Sequence, residues 1–235
     1  MDQKQALRQQ LYPKFDLLWP EASPAKGCPL FPGRGRAAER LRRLPAYRLA
    51  RTIAVMPDAV LLQVRVNALN DGKTLLAATP GLKQGLVRLV PDKVPVARRS
   101  RDLKGPSLFT AGSPLRFPQN KVPRVDLFVG PVLAVDLKGR TLGDGRGIVD
   151  LTYALLRALG SLDAKAPVAV VAADEQVMDG LSSDSWDLWA DIIITPSQTV
   201  RTQAVHASPD LNALPAGLAG LPLVQAVRGQ GLTKN

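Results

Sequence analysis

Four glycines, Gly139, Gly143, Gly145 and Gly147, fall within nine residues, enclose Asp144 and Arg146, and are followed by Asp150. A glycine loop that opens a helix presents backbone N–H groups and a positive helix end to a phosphate; an ordinary tight turn uses the same residues. The chain holds one histidine, His206, and one cysteine, Cys28. Disulfide frameworks, cysteine zinc sites and multi-histidine metal sites within the chain are therefore excluded. Carboxylates, lysines, arginines and backbone amides remain. That set suits phosphoryl transfer, in which the protein positions a metal–nucleotide complex and neutralises its charge. Asp150, one turn into the helix, can hold Mg²⁺ directly or through water, or interact with the positive helix end for about 0.3–1 kcal/mol. Arg146 can clamp a phosphate, while Asp144 beside it opposes an anion unless a cation intervenes. Lys4 and Arg8 are four apart and share a helix face, either as an anion contact or as a solvated basic face.

The elements that must position these residues are legible as periodicities. Val125 to Asp136 is an apolar strand broken at Gly130-Pro131, and Ile148 to Leu159 has apolar residues at helical spacing. Met1 to Leu18 reads as a first helix that Pro13 should break, followed by a proline- and glycine-rich loop. Arg36 to Ala50 reads as two short helices meeting at Pro45. Ile53–Met56 is a strand, Asp58 caps a helix reaching about Asn70, and Thr74–Thr79 is the parallel return strand, with Gln84–Val90 a third. Residues 91–122 carry five prolines and Arg98-Arg99-Ser100-Arg101, and read as a long irregular lid or as a solvated linker. Pro167–Ala172 and Ala190–Thr195, apolar at nearly every position, suit interior parallel strands, and a terminal helix is expected near Leu221–Val227.

At 235 residues and 46% hydrophobic, the chain can bury one core, and a single α/β domain over 1–235 is expected. Basic residues number 31 against 20 acidic, a net charge of +11, and the first 51 residues hold 11 against four. Such a field attracts nucleotides, phosphorylated or polyglutamylated small molecules, or nucleic acid. Aromatics are 5% and are not interleaved with the basic stretch, which disfavours a stacking platform for RNA. A charged opening and no apolar run of spanning length point to a soluble, cytoplasmic chain that makes no membrane contact.

The stretch Thr141-Leu142-Gly143-Asp144-Gly145-Arg146-Gly147-Ile148-Val149-Asp150-Leu151 resembles the R-L-G-Y-G-G-G-Y-Y-D-R loop of the 5-formyltetrahydrofolate cyclo-ligase (methenyltetrahydrofolate synthetase) family. Leu133 to Gly139, LAVDLKG, resembles that family's L-A-F-D-x-x-G. The order of the other pieces agrees over roughly residues 36–201, with residues 1–35 matching loosely. The resemblance implies a three-layer α/β/α fold with a mostly parallel sheet, related to sugar-phosphate isomerases and CoA-transferases. It implies ATP and Mg²⁺ as cofactors. In the implied reaction the formyl oxygen of 5-formyltetrahydrofolate is phosphorylated, N10 attacks, and loss of phosphate gives 5,10-methenyltetrahydrofolate. Carried over residue by residue, Gly143, Gly145 and Gly147 cradle the phosphates within a loop that includes Asp144 and Arg146. Lys4 and Arg8 reach the phosphates, and Asp150 serves the metal. Asp58 takes the place of a folate-site glutamate one methylene longer, and Arg146 and Asp58 are the residues placed in the chemistry.

Asp144, Arg146, Ile148, Val149 and Leu151 depart from that pattern. A side chain at Arg146 would fill space that a close backbone–phosphate approach needs. G-D-G-R-G-x-x-D-L-x-Y-A looks more like the divergent methenyltetrahydrofolate-synthetase-domain branch. That likeness implies a paralogue without ligase chemistry that binds a phosphorylated metabolite, with a thiamin link. A third reading, an RNA-binding accessory protein, rests on the +11 charge. Oligomeric state is left open.

Overall fold

A computed structural model describes residues 3–20, 27–115, 121–202, 209, 211, 214 and 216–229; His206 and the polar tail beyond 229 lie outside the described residues. Strands β1 (Thr52–Val55), β2 (Thr74–Ala78), β3 (Leu86–Leu89), β4 (Ser113–Leu115), β5 (Leu127–Pro131), β8 (Val168–Val171), β9 (Ile192–Ile194) and β10 (Thr199–Arg201) form one sheet in the order β10-β9-β8-β5-β1-β2-β3-β4. The five central strands are parallel; β10 pairs antiparallel with β9 at one flank, and β3 with β2 and β4 with β3 at the other. β1, β5, β8 and β9 are buried at every position. Both faces of these strands are covered, so they read as continuous apolar runs rather than alternating ones.

Helices α2 (Arg34–Arg42) and α4 (Leu62–Asn70) pack on each other, α2 against β8 and β9 and α4 against β1 and β2. Helices α7 (Ile148–Ala158) and α8 (Pro222–Gly229) pack together, with α7 on β5. The result is the expected three-layer α/β arrangement. Gly130 permits the close approach of α7: a Cβ there would lie 3.2 Å from Val149 Cγ1. Consequently Gly130-Pro131 does not break the strand, as its composition suggests, and β5 runs through both residues.

Helix α1 (Gln3–Leu18) also continues across its proline, Pro13. A helical proline forfeits a hydrogen bond, and here Leu11 and Phe15 on either side are buried in the core, which holds the helix together from outside. Phe15 stacks on Trp19 at 5.0 Å between ring centroids, and Trp19 leans on Phe31 at 6.1 Å. Pro45 does divide the next stretch, into α2 and α3 (Pro45–Leu49).

The third expected strand, Gln84–Val90, is β3, and it runs antiparallel to β2 because only seven residues join the two, too few for a crossover. Two further expectations are corrected. Asp58 makes no capping hydrogen bond; a 3₁₀ turn, Ala59–Leu61, precedes α4. Residues 91–115 are not the irregular stretch that their composition suggests. They form two 3₁₀ turns, the short helices α5 (Arg99–Asp102) and α6 (Ser107–Ala111), and β4; residues 116–120 lie outside the described set. The buried Arg99 ties this segment down by donating to the Val94 and Pro91 carbonyls (3.0 and 2.9 Å) and to Asn70 Oδ1 (2.8 Å). Among the described residues, no helix is long and apolar enough to cross a membrane.

Candidate functional site

The first half of the glycine loop is a hairpin, β6 (Ala134–Val135) against β7 (Thr141–Leu142). Asp136 closes it. Its carboxylate accepts the Lys138 and Arg140 N–H groups (both 3.0 Å) and Arg140 Nε (2.6 Å). Residues 143–147 then leave the hairpin and enter α7 at Gly147, whose φ of 66° suits glycine. A Cβ at Gly147 would sit 2.8 Å from the Trp186 ring and 2.9 Å from Leu218 Cδ1. The glycine is thus demanded by packing as well as by backbone conformation. The N–H groups of Gly145 and Gly147 have no acceptor among the described residues, the condition under which a helix start can take an anion.

Both glycines line a cleft of about 140 Å³, together with Lys4, Arg8, Gly143, Asp150 and Trp186, among others. Helix α1 brings two of the predicted residues to it. Arg8 Nε donates to the Gly143 carbonyl (2.9 Å), so the guanidinium both props the loop and lines the cleft. Lys4 is buried and pairs with Asp184 (2.6 Å) and with Asp187. Asp150 Oδ1 accepts the Leu188 N–H (2.8 Å). Burial, and secondarily the nearby Asp187, push the Asp150 carboxyl up to about 6, against the Leu188 hydrogen bond and Lys4, which favour its charged form.

Asp144 and Arg146 do not line this cleft. They form an ion pair on the other side of the loop: Asp144 accepts the Arg146 N–H (3.0 Å) and Nε (2.6 Å). The cation needed to reconcile Asp144 with an anion site is therefore its own neighbour, and the Arg146 side chain leaves the amides open. On this second side the pair faces Asp58, Cys28 and Gly27. A Cβ on Gly27 would lie 3.8 Å from Arg146 and 4.0 Å from Asp58. The Asp58 carboxyl is raised by burial and then by Asp144, with Arg146 and Arg65 opposing. Burial pushes the Cys28 thiol well up, with Asp58 and Asp144 adding to it, so the thiol is not a ready nucleophile. Arg65 is fully buried and held by backbone oxygens of Met56 (2.7 Å), Asp58 (2.9 Å) and Leu103 (3.2 Å), with Nη2 left without a partner.

The loop thus separates two groups of residues. Lys4, Arg8, Gly143, Gly145, Gly147 and Asp150 come together on one side, and Asp58, Asp144 and Arg146 on the other. Sequence reasoning missed Asp184, Trp186 and Asp187 on the first side and Cys28 and Arg65 on the second. The signal for the first three was S-S-D-S-W-D, two carboxylates flanking a tryptophan in an otherwise polar stretch. No group of three or more His, Cys, Asp or Glu side chains among the described residues could by itself hold a metal ion. The donors that are present suit Mg²⁺ held by one carboxylate, Asp150, with phosphate and water as the remaining ligands.

Known proteins resemble this chain along most of its length. The chain is 34% identical over 189 residues to the methenyltetrahydrofolate synthase domain-containing protein of Bos taurus, covering 77% of this chain and 48% of that one. It is 34% identical over 188 residues to the Mus musculus counterpart, covering 77% and 49%. It therefore spans about half the length of these curated relatives. The NMR structure of Aquifex aeolicus 5,10-methenyltetrahydrofolate synthetase shares the fold, with a TM-score of 0.57 at 21% identity over 86% of this chain and 94% of that one. Residues 1–196 match the sequence pattern of one family throughout. With the loop, its flanking hairpin and the order of the strands all in place, the chain belongs to the 5-formyltetrahydrofolate cyclo-ligase family.

Proposed function

We propose that the chain binds ATP and Mg²⁺ in the cleft between α1 and the glycine loop and converts 5-formyltetrahydrofolate to 5,10-methenyltetrahydrofolate in the cytoplasm. The observation that carries this reading is that Gly145 and Gly147, whose N–H groups have no acceptor among the described residues, line one cleft with Arg8, Lys4 and Asp150. ATP would supply the phosphoryl group and Mg²⁺ would neutralise charge on the transferring phosphate. The protein supplies fixed dipoles and the Arg8 guanidinium, which is already bound to the loop and needs no reorganisation, whereas the Lys4 charge is offset by Asp184 and Asp187. Asp58, its carboxyl raised by burial and then by Asp144, is placed by this reading at the folate.

Methenyltetrahydrofolate absorbance, followed with Mg-ATP and 5-formyltetrahydrofolate, tests the reading. Steady product formation supports it; none with enzyme in excess over substrate would sink it. A second reading is favoured by the Asp144–Arg146 pair, which occupies the loop where the family pattern has a tyrosine and a glycine. In that reading the cleft binds a phosphorylated metabolite without ligase chemistry. Raised melting temperatures with thiamin phosphates but not with Mg-ATP and folate would select it.

A further inference from the structure

Helix α2 and its C-terminal cap residue carry Arg36, Arg40 and Arg43 at spacings of four and three, which puts all three on one face. They line a cleft of about 710 Å³ between α2 and the β9–β10 turn, together with Leu44, Pro196 and Thr199. None of its lining residues is shared with the glycine-loop cleft. Arg36 and Arg43 are exposed and have no hydrogen-bond or ion-pair partner for their side chains among the described residues.

Arg40 is half-buried. Its Nη2 donates to the Pro196 carbonyl (3.2 Å), while its Nε is buried without a hydrogen-bond partner. Thr199 Oγ1, across the same cleft, is likewise buried and unpartnered. A buried donor left unsatisfied is costly and asks for an explanation, of which a missing ion is one. The single carboxylate lining the cleft, Glu39, is engaged elsewhere: Asn67 Nδ2 donates to it (2.7 Å), and it lies 3.5 Å from Arg42 Nη1. Three guanidinium groups therefore converge on one concavity with no local acid committed to them.

We propose that this cleft is a second anion site that takes the phosphomonoester of a small molecule. Guanidinium groups and a hydroxyl match the three terminal oxygens of a phosphomonoester. The cleft volume falls in the range of small-molecule sites. No aromatic side chain lines it, so the stacking that single-stranded nucleic acid uses is missing. The site does not depend on the ligase reading of the glycine loop.

Calorimetric titration of the full chain with inorganic pyrophosphate at low salt tests it, using wild type, Arg36→Gln/Arg43→Gln and Arg8→Gln. Thr199→Val serves as a milder second variant. Arg36 and Arg43 are exposed, so an unchanged melting temperature is expected for their exchange and serves as the folding control. The site requires binding that persists in Arg8→Gln. It also requires a loss of at least about tenfold in the double arginine variant, because each arginine removes a charge-assisted hydrogen bond, and a smaller loss in Thr199→Val. Binding that the arginine exchange leaves unchanged, or that Arg8→Gln alone abolishes, overturns the proposal. So does an oligonucleotide that binds through the same arginines and is not displaced by pyrophosphate, since the face then serves nucleic acid.

Discussion

At the scale of single residues, the predicted phosphate loop divides its labour. Gly145 supplies a free amide, whereas Gly147 is a glycine for a second reason, the Trp186 ring against its α-carbon. Asp150 is the residue whose role is sharpest. Burial already disfavours its charge, so Asp150→Asn is expected to shift the melting temperature little while abolishing Mg-dependent ATP binding. Thermal melts with and without Mg-ATP read both effects; a lower melting temperature with binding intact would assign the carboxylate to the helix end instead. Asp71 is the opposite case. The Arg42 hydrogen bonds, and then the Tyr47 hydroxyl at 3.0 Å, hold its carboxyl below the usual range. A depressed folded-state pKa stabilises the protein above the unfolded-state value, and the gain fades as pH falls through the folded-state value. Asp71→Ala should therefore cost only about 0.5–1 kcal/mol near pH 7, because the pair is largely exposed and screened by solvent. That gap should close below about pH 4, as followed by urea denaturation across pH.

At the scale of elements, the site is made where α1, the β6–β7 hairpin and α7 meet. Gly147→Ala tests the junction of the last two. The added Cβ meets Trp186 and Leu218, and φ is positive there, so a cost of about 1–3 kcal/mol is expected. A change in tryptophan fluorescence should accompany the lower melting temperature; an unaltered spectrum at native stability would mean the loop yields freely. The direction of β3 belongs to this scale too. Apolar runs alone do not set strand direction, but a seven-residue connection does, so the antiparallel pairing could have been read from the sequence. The continuity of α1 and β5 across Pro13 and Gly130-Pro131 could not. In each case a local breaker is overruled by packing: Leu11 and Phe15 sit in the core on either side of Pro13, and Val149 of α7 closes on Gly130.

At the scale of the molecule, the parallel sheet and the glycine loop were legible because both are written in short-range spacing. Lys4 beside Asp184 and Asp187 was not, because those residues are 180 and 183 positions apart and no periodicity links them. Arg146 illustrates a different limit. Its position in the loop was plain, but the side it faces depends on the Asp144 rotamer. Helix α1 is the long-range strut of the whole arrangement, anchored by Leu11 and by Phe15 against Trp19. Phe15→Ala should cost about 3–5 kcal/mol and weaken nucleotide binding through Lys4 and Arg8. Limited proteolysis should then cut α1 before the central strands; simultaneous loss of both would show that helix and sheet unfold as one unit.

The Lys4 pairing has a consequence during synthesis. A nascent chain that has emerged as far as α7 already possesses the glycine loop and both basic residues of α1. It lacks Asp184, Trp186 and Asp187, and so lacks one wall of the cleft. Loop closure over that span comes late in assembly. A ribosome-bound chain stalled before residue 184 should therefore hold most of its parallel sheet and yet be blind to nucleotide, gaining recognition only with the next few residues translated.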